Sequence, residues 1–173
     1  MLKGLMFLII TITSLSAQDS PLEIGMKAPE WAFKDATGQE FTMNNWEGKV
    51  LYITYVDPDE SEVNEPLNDA LKKAGDDGLL NRTAYKSMGI VDCAATWKPD
   101  VLIRKVAGNK AKKFNTTILF DYDAKLRKSW GFKKDTSNII VLDKNRVVKA
   151  IYRGKVNQEE FSKIITLIND LQK

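Results

Sequence analysis

The run Val50-Leu-Tyr-Ile-Thr-Tyr-Val56 constrains this chain more than any other segment. It is apolar nearly throughout, too short for a core helix, and rich in β-branched and aromatic residues. Such a run suits a strand covered on both faces, as in the parallel part of an α/β sheet. It leads directly into Asp57-Pro-Asp-Glu-Ser-Glu-Val63 and then Asn64-Glu-Pro-Leu-Asn-Asp-Ala-Leu71. Asp59 followed by Glu62 resembles a capping box. The spacing predicts a helix from Asp59 to about Ala74, ended by Gly75 and kinked at Pro66, which removes a backbone donor.

Strands and helices alternate after that. Tyr85 to Val91 reads as a second central strand, Lys98 to Asn109 as a helix with Val101, Leu102, Lys105 and Val106 near one face, and Thr116 to Phe120 as a third strand. Ile139 to Leu142 and Val147 to Arg153 flank the turn Asp143-Lys-Asn-Arg146, an antiparallel hairpin. Asn157 is expected to cap a last amphipathic helix with Phe161, Ile164, Ile165 and Ile168 on its core face. Near the start, Trp31 to Phe33 and Glu40 to Thr42 flank the turn Thr37-Gly38. The whole predicts an α/β domain: a central mixed sheet flanked by helices, with an N-terminal β-hairpin extension.

The first residues, MLKGLMFLIITITSLSA, combine one base, Lys3, with an apolar run from Gly4 to Leu15 and small residues at Ser14, Ser16 and Ala17. This reads as a secretory signal peptide over residues 1–17, cut after Ser16 or Ala17. The apolar run is shorter than the ~20 residues of a membrane span, so no stable membrane anchor is expected. A domain of residues 22–173 follows, in a mature chain of about 156 residues that suits one core. The expected location is periplasmic or secreted.

Charge is near balance but unevenly spread. Asp57 to Asp77 holds eight acids against Lys72 and Lys73, and Arg104 to Lys134 ten bases against Asp121 and Asp123. The two segments are either solvated surface or a bipolar docking surface. The single cysteine, Cys93, cannot close an internal disulfide, and the chain has no histidine. The usual general base and the Ser-His and Cys-His nucleophile pairs are therefore missing. The acids Asp57, Asp59, Glu60 and Glu62 lack the glycine and distal glutamate of a calcium loop, so no metal is expected, and no cofactor either.

The opening IGMKAPEWAFKDATGQEFTMNNWEGKVLYITY, with its Gly-x-x-Ala-Pro start and a Gly-Lys before the first central strand, resembles exported thioredoxin-like and peroxiredoxin-like proteins. Asn64 through Leu71, Tyr85 through Asp92, and Ile139-Ile-Val-Leu-Asp-Lys-Asn-Arg-Val147 followed by Gln158-Glu-Glu are similar to the YtfJ family of periplasmic thioredoxin-like proteins. The resemblance covers nearly the whole mature chain and implies a thioredoxin-like fold rather than an activity. With Pro66 aligned to the kink proline of a thioredoxin helix, the two catalytic cysteine positions fall on Pro58 and Ser61; counting from the strand puts the first near Glu60. Ser137 stands where the resemblance places the cis-proline.

The resulting expectation is an exported thioredoxin-like protein without redox-active cysteines, a non-catalytic binding or accessory module. Its contact surface would be a groove formed by Asp57, Pro58, Asp59, Glu60 and Ser61 facing Ser137, and its partner a protein or peptide of the periplasm rather than a nucleic acid. The alternative is a one-cysteine peroxidase or thiol sensor using Cys93, which lies at a strand end with Lys98 and Arg104 near in sequence.

Overall fold

The computed structural model describes residues 21–173; the expected signal peptide lies outside the described residues. A mixed seven-stranded sheet runs through the molecule in the order β2-β1-β5-β4-β3-β6-β7. The strands are β1 (Ala32–Asp35), β2 (Glu40–Thr42), β3 (Val50–Val56), β4 (Tyr85–Asp92), β5 (Thr117–Asp121), β6 (Ser137–Leu142) and β7 (Val148–Arg153). The helices are α1 (Glu65–Asp76), α2 (Asp100–Phe114), the short α3 (Lys125–Ser129) and α4 (Phe161–Gln172). β3, β4 and β5 are parallel, and β6 runs antiparallel to β3. This is the expected βαβ half followed by ββα, with the N-terminal hairpin added at the β5 edge.

Topology decides the layers. The steps β3–α1–β4 and β4–α2–β5 move the same way across the sheet, so right-handed crossovers put α1 and α2 on one face. The chain then returns to β6 by way of α3, which packs on the other. Alternation along β3 shows the result: Leu51, Ile53 and Tyr55 join a core with Trp31, Trp46 and Trp130, while Val50 and Tyr52 join one with Leu67, Ile164 and Ile168. The N-terminal segment is tied to the first of these cores, with Leu22 donating its N–H to the Trp130 carbonyl at 3.0 Å. Gly131 makes the approach possible: its φ is +66°, and an added Cβ would lie 2.8 Å from Pro21 Cβ.

Several expected boundaries shift, each for a physical reason. Asp59 does not cap α1, and Pro66 does not kink it. The chain leaves β3 into a 3-10 turn, Pro58–Glu60, capped by Asp57, whose Oδ1 accepts from the Asp59 N–H at 2.9 Å. α1 starts only at Glu65, which places Pro66 in the first turn, where the missing N–H has no helical partner to lose. Gly75 lies inside α1 rather than ending it; an added Cβ there would meet the Arg82 guanidinium at 2.8 Å. The chain turns instead at Gly78, φ +78°. α2 extends past Asn109 to Phe114 and ends on Asn115 in the left-handed region, φ 47°. Asn157 makes no side-chain cap; a 3-10 turn, Gln158–Glu160, comes between it and α4.

Two side chains fasten these elements. Arg146, buried in the β6–β7 turn, donates to the carbonyls of Lys49, Met43 and Trp46 at 2.8, 2.9 and 2.6 Å, fixing the approach to β3. Asn64, 4% exposed, donates from Nδ2 to Ser137 Oγ at 3.1 Å and the Gly154 carbonyl at 3.0 Å, and its Oδ1 accepts from the Val156 N–H at 2.9 Å.

These two roles separate cleanly in urea unfolding. Replacing Asp59 with Ala should move the urea midpoint only slightly, since only contacts at the surface are lost. Replacing Asn64 with Ala should cost about 2–3 kcal/mol or more, because buried partners at Ser137, Gly154 and Val156 lose their hydrogen bonds. Equal effects would contradict the assigned helix start.

Candidate functional site: a cavity beneath the β3–α1 loop

The C-terminal ends of β3, β4 and β5 lie side by side, where open α/β sheets place ligands. Three features meet there: the loop after β3, a buried cluster of acids, and Cys93.

The loop positions the expected site residues in different ways. Asp57 is buried and occupied in capping. Asp59 forms an ion pair with Lys98 at 2.5 Å, and with the Lys98 ammonium as the leading cause its carboxyl is held below the usual range. Pro58, Asp59 and Ser61 line a cavity that opens beneath the loop. Ser137 does not face an open groove: it is buried at 2% exposure, and Asn64 fills the space between it and α1. The groove between residues 57–61 and Ser137 is thus closed by an amide, and the open space lies on the other side of the loop.

The core on the α1/α2 face is split into a cluster around α1 and α4 and a smaller one of Val91, Cys93, Ile103, Ala107 and Phe120 beside α2. Between them lies a cavity of about 540 Å³. Its floor is Thr54, Ser87 and Gly89, from neighbouring central strands with Thr54 opposite Gly89. Its walls include Leu71, Val91, Leu102, Val106 and Ile118. A dry, closed void of that size would cost on the order of 13 kcal/mol at ~24 cal/mol per Å³, comparable with the whole stability of a domain. The cavity is instead open to solvent.

The expected apolar face of α2 turns out to border this opening. Ile103 and Ala107 are the residues buried against the sheet, whereas Leu102 and Val106 are 53% and 50% exposed and reach the rim. Leu102 and Val106 therefore sit on the face that a simple helical-wheel reading would bury. The acidic and basic segments also meet at this place. Lys110 and Lys113 of α2 lie 3.0 and 3.2 Å from the Glu65 carboxylate of α1, and Lys110 donates to the Ser61 carbonyl at 2.7 Å. Burial pushes the Glu65 carboxyl up, but the two lysines outweigh it and leave it below its ordinary value.

On the opposite face, Tyr55 donates its hydroxyl to Asp121 Oδ2 at 3.1 Å, and Asp121 also accepts the Lys125 and Leu126 N–H groups at 2.9 Å, which starts α3. Asp92 pairs with Arg127 at 2.6 Å. Burial raises the Asp92 carboxyl, Arg127 and Tyr55 oppose this, and the Asp121 charge adds to it. Among the described residues, no three His, Cys, Asp or Glu side chains come together in a way that could hold a metal ion.

Cys93 follows β4 in a 3-10 turn and is 8% exposed. Its Sγ lies 3.7 Å from the Val91 carbonyl. Burial pushes the thiol up to about 12, and Asp100, Asp121 and Asp92 add to the shift while Arg104 only partly opposes it. Reactive thiols have the reverse environment, exposed and electropositive.

A family model described as bacterial protein of unknown function (YtfJ_HI0045) matches residues 23–171. The chain belongs to that family. It is 25% identical over 144 residues to an uncharacterized protein of Haemophilus influenzae, across 81% of this chain and 76% of that one. Among solved structures, it is similar to the thioredoxin domain of a thiol-disulfide oxidoreductase from Bacteroides vulgatus, with 14% identity, 85% and 99% of the two chains covered and a TM-score of 0.62. It is also similar to the pneumococcal exposed lipoprotein thioredoxin Etrx1 of Streptococcus pneumoniae, with 15% identity, 80% and 99% covered and a TM-score of 0.58. These likenesses show a thioredoxin-like fold. Among the described residues, no helix is long and apolar enough to cross a membrane.

Two measurements check this description. Iodoacetamide at pH 8 should label Cys93 far more slowly in the folded protein than in urea; equal rates would mean an accessible thiolate. Glu65→Gln should lower stability by about 0.5–1 kcal/mol at neutral pH. Because the folded carboxyl lies below its unfolded value, that stabilisation is present above the ordinary glutamate range and is lost as the pH falls through the folded pKa. The gap between wild type and variant should therefore close in acid.

Proposed function

We propose that this family member is an exported protein that uses a thioredoxin-like scaffold for binding rather than for disulfide exchange. The observation that carries the reading is the β3–α1 loop. Its sequence from Asp57 to Val63 contains no cysteine, Asp57 caps the turn there, and Asn64 joins α1 to Ser137 where a substrate-binding groove would need to be open. A thiolate at a helix N-terminus, the device that activates thioredoxin-type chemistry, has no counterpart in this loop.

Export is supported by the sequence before residue 18: one base, a short apolar run and small residues at the expected cut. The partner or ligand belongs to the compartment outside the cytoplasm. The cavity beneath the loop supports the binding reading, with apolar walls and a rim shared by α1 and α2.

The alternative use of Cys93 as a peroxidatic or sensing thiol has the burial and the surrounding carboxylates against it. The two readings part in a direct assay. The purified protein should neither reduce insulin disulfides with dithiothreitol nor turn over hydrogen peroxide, and Cys93→Ser should leave its melting temperature within about 2 °C of wild type. Peroxide turnover that Cys93→Ser abolishes would replace the binding reading with the enzymatic one. N-terminal sequencing of protein recovered from an exporting cell should begin near Ala17 or Gln18; an intact Met1 would overturn export.

A further inference from the structure

We propose that the cavity between α1 and α2 is a binding site for a small, uncharged and mainly apolar molecule that hydrogen-bonds to the sheet floor. This rests on the binding-module reading and names the ligand class. The first argument is depth. The central strands of a sheet covered by helices ordinarily carry large branched residues, as β3 does at Val50 and Tyr52, both fully buried. One step further along the same face, the chain places Thr54, Ser87 and Gly89 together, and these remain partly exposed to solvent at the bottom of the opening.

The second argument is that the helices are held apart. α1 is fixed to β6 and the β7 end through Asn64, and α2 is packed on the sheet through Ile103 and Ala107. Lys110 and Lys113 tie α2 to Glu65 across the opening. The walls therefore cannot simply collapse onto the small floor residues. At about 540 Å³ the space lies within the range of small-molecule sites.

Charge selects the ligand class. Each lysine on the rim already has a carboxylate: Lys98 with Asp59, Lys72 with Asp76, and Lys110 with Glu65. Glu62, also on the rim, has no ion pair among the described residues. An anion would gain a rim lysine only by displacing the carboxylate already on it. A neutral molecule avoids this and finds polar partners at Asn68 of α1 and Ser87 of the floor. Asn68 accepts the Tyr52 hydroxyl at 3.2 Å through Oδ1, while its Nδ2 and the Ser87 hydroxyl make no side-chain hydrogen bond among the described residues. One acceptor on an otherwise apolar ligand would satisfy them.

The test is a fluorescence titration with the uncharged probe N-phenyl-1-naphthylamine on the purified protein. Saturable one-to-one binding is expected. Gly89→Val fills the floor and should weaken it at least tenfold. Should that variant not fold, Gly89→Ala serves instead, since an added Cβ lies at an ordinary 3.5 Å from Ile118 Cγ1; it should weaken binding two- to threefold. Leu102→Glu, on the exposed rim, should weaken binding at least tenfold, and Lys125→Glu, on the opposite face, should not change it. The anionic probe 1-anilinonaphthalene-8-sulfonate should bind at least tenfold more weakly than the neutral one. No saturable binding, equal binding by the cavity variants, or equal affinity for the anion overturns the proposal. So does a dimer in sedimentation that Leu102→Glu dissociates, which would make a second copy the occupant. Failure on these grounds with no insulin or peroxide activity sinks this ligand class alone; redox activity would sink the reading beneath it.

Discussion

The Asn64 side chain sets the arrangement at the functional end of the sheet. One amide reaches β6 through Ser137, the end of β7 through Gly154, and the segment toward α4 through Val156. Most buried amides have their donors and acceptor engaged, and both ends of Asn64 find partners from distant parts of the chain. The first turn of α1 is consequently held against β6. The loop of residues 57–63 is left to lean the other way, toward α2, where Asp59 meets Lys98 and the Ser61 carbonyl meets Lys110. Closing one groove and covering the other are two consequences of the same contact.

The two faces of the sheet then divide the work. The face bearing α3 is dense with aromatic contact: Trp31 stacks on Phe33 with centroids 5.7 Å apart, and Trp130 meets Phe132 edge-on at 5.8 Å. Aromatic groups bury the most area per residue and prefer these offset geometries. With Arg146 fastening the approach to β3, this face secures the strands without help from α2. The opposite face is well packed only between α1 and α4, and its core is interrupted before α2. With one face packed without interruption, the other can keep an opening, which is where the small residues of β3 and β4 are found.

Periodicity made much of this legible in the sequence. The strand Val50–Val56, the hairpin around Asp143–Arg146 and the isoleucine stripe of α4 rest on local patterns, and they stand where those patterns put them. What local pattern could not convey was the choice between two uses of one residue. Pro66 disrupts a helix interior but suits a first turn, and only the position of Asn64, fixed by contacts some 70 to 90 residues away in the chain, decides between them. Val101, Leu102 and Val106 carry a helical apolar period, yet the sheet is met by Ile103 and Ala107. That rotation of α2 follows from its packing on β5; Ile103 and Ala107 also stand at helical spacing, and the sequence of α2 alone does not choose between the two stripes. The cavity was legible only in retrospect, in the smallness of Thr54, Ser87 and Gly89, three residues that become neighbours only once the strand register is known.

The fate of Cys93 follows from where the acids went. The ends of β4 and β5 carry Asp92 and Asp121 in register, both buried, and Asp100 begins α2 just beyond. Asp121 is committed to starting α3 and Asp92 to Arg127, so neither charge can be removed without loosening the far face of the sheet. A thiolate at Cys93 would have to form in their field and out of water, and Arg104 does not compensate. Activating this cysteine would therefore require rebuilding the contacts that hold α3 in place. The loop after β3 carries no such burden: Asp57 caps its turn, Asp59 pairs with Lys98 at the surface, and its backbone already borders open space. Physical constraint thus opposes a reactive thiol and leaves the cavity open, and that asymmetry is why the proposed binding use asks less of the existing contacts than thiol chemistry would.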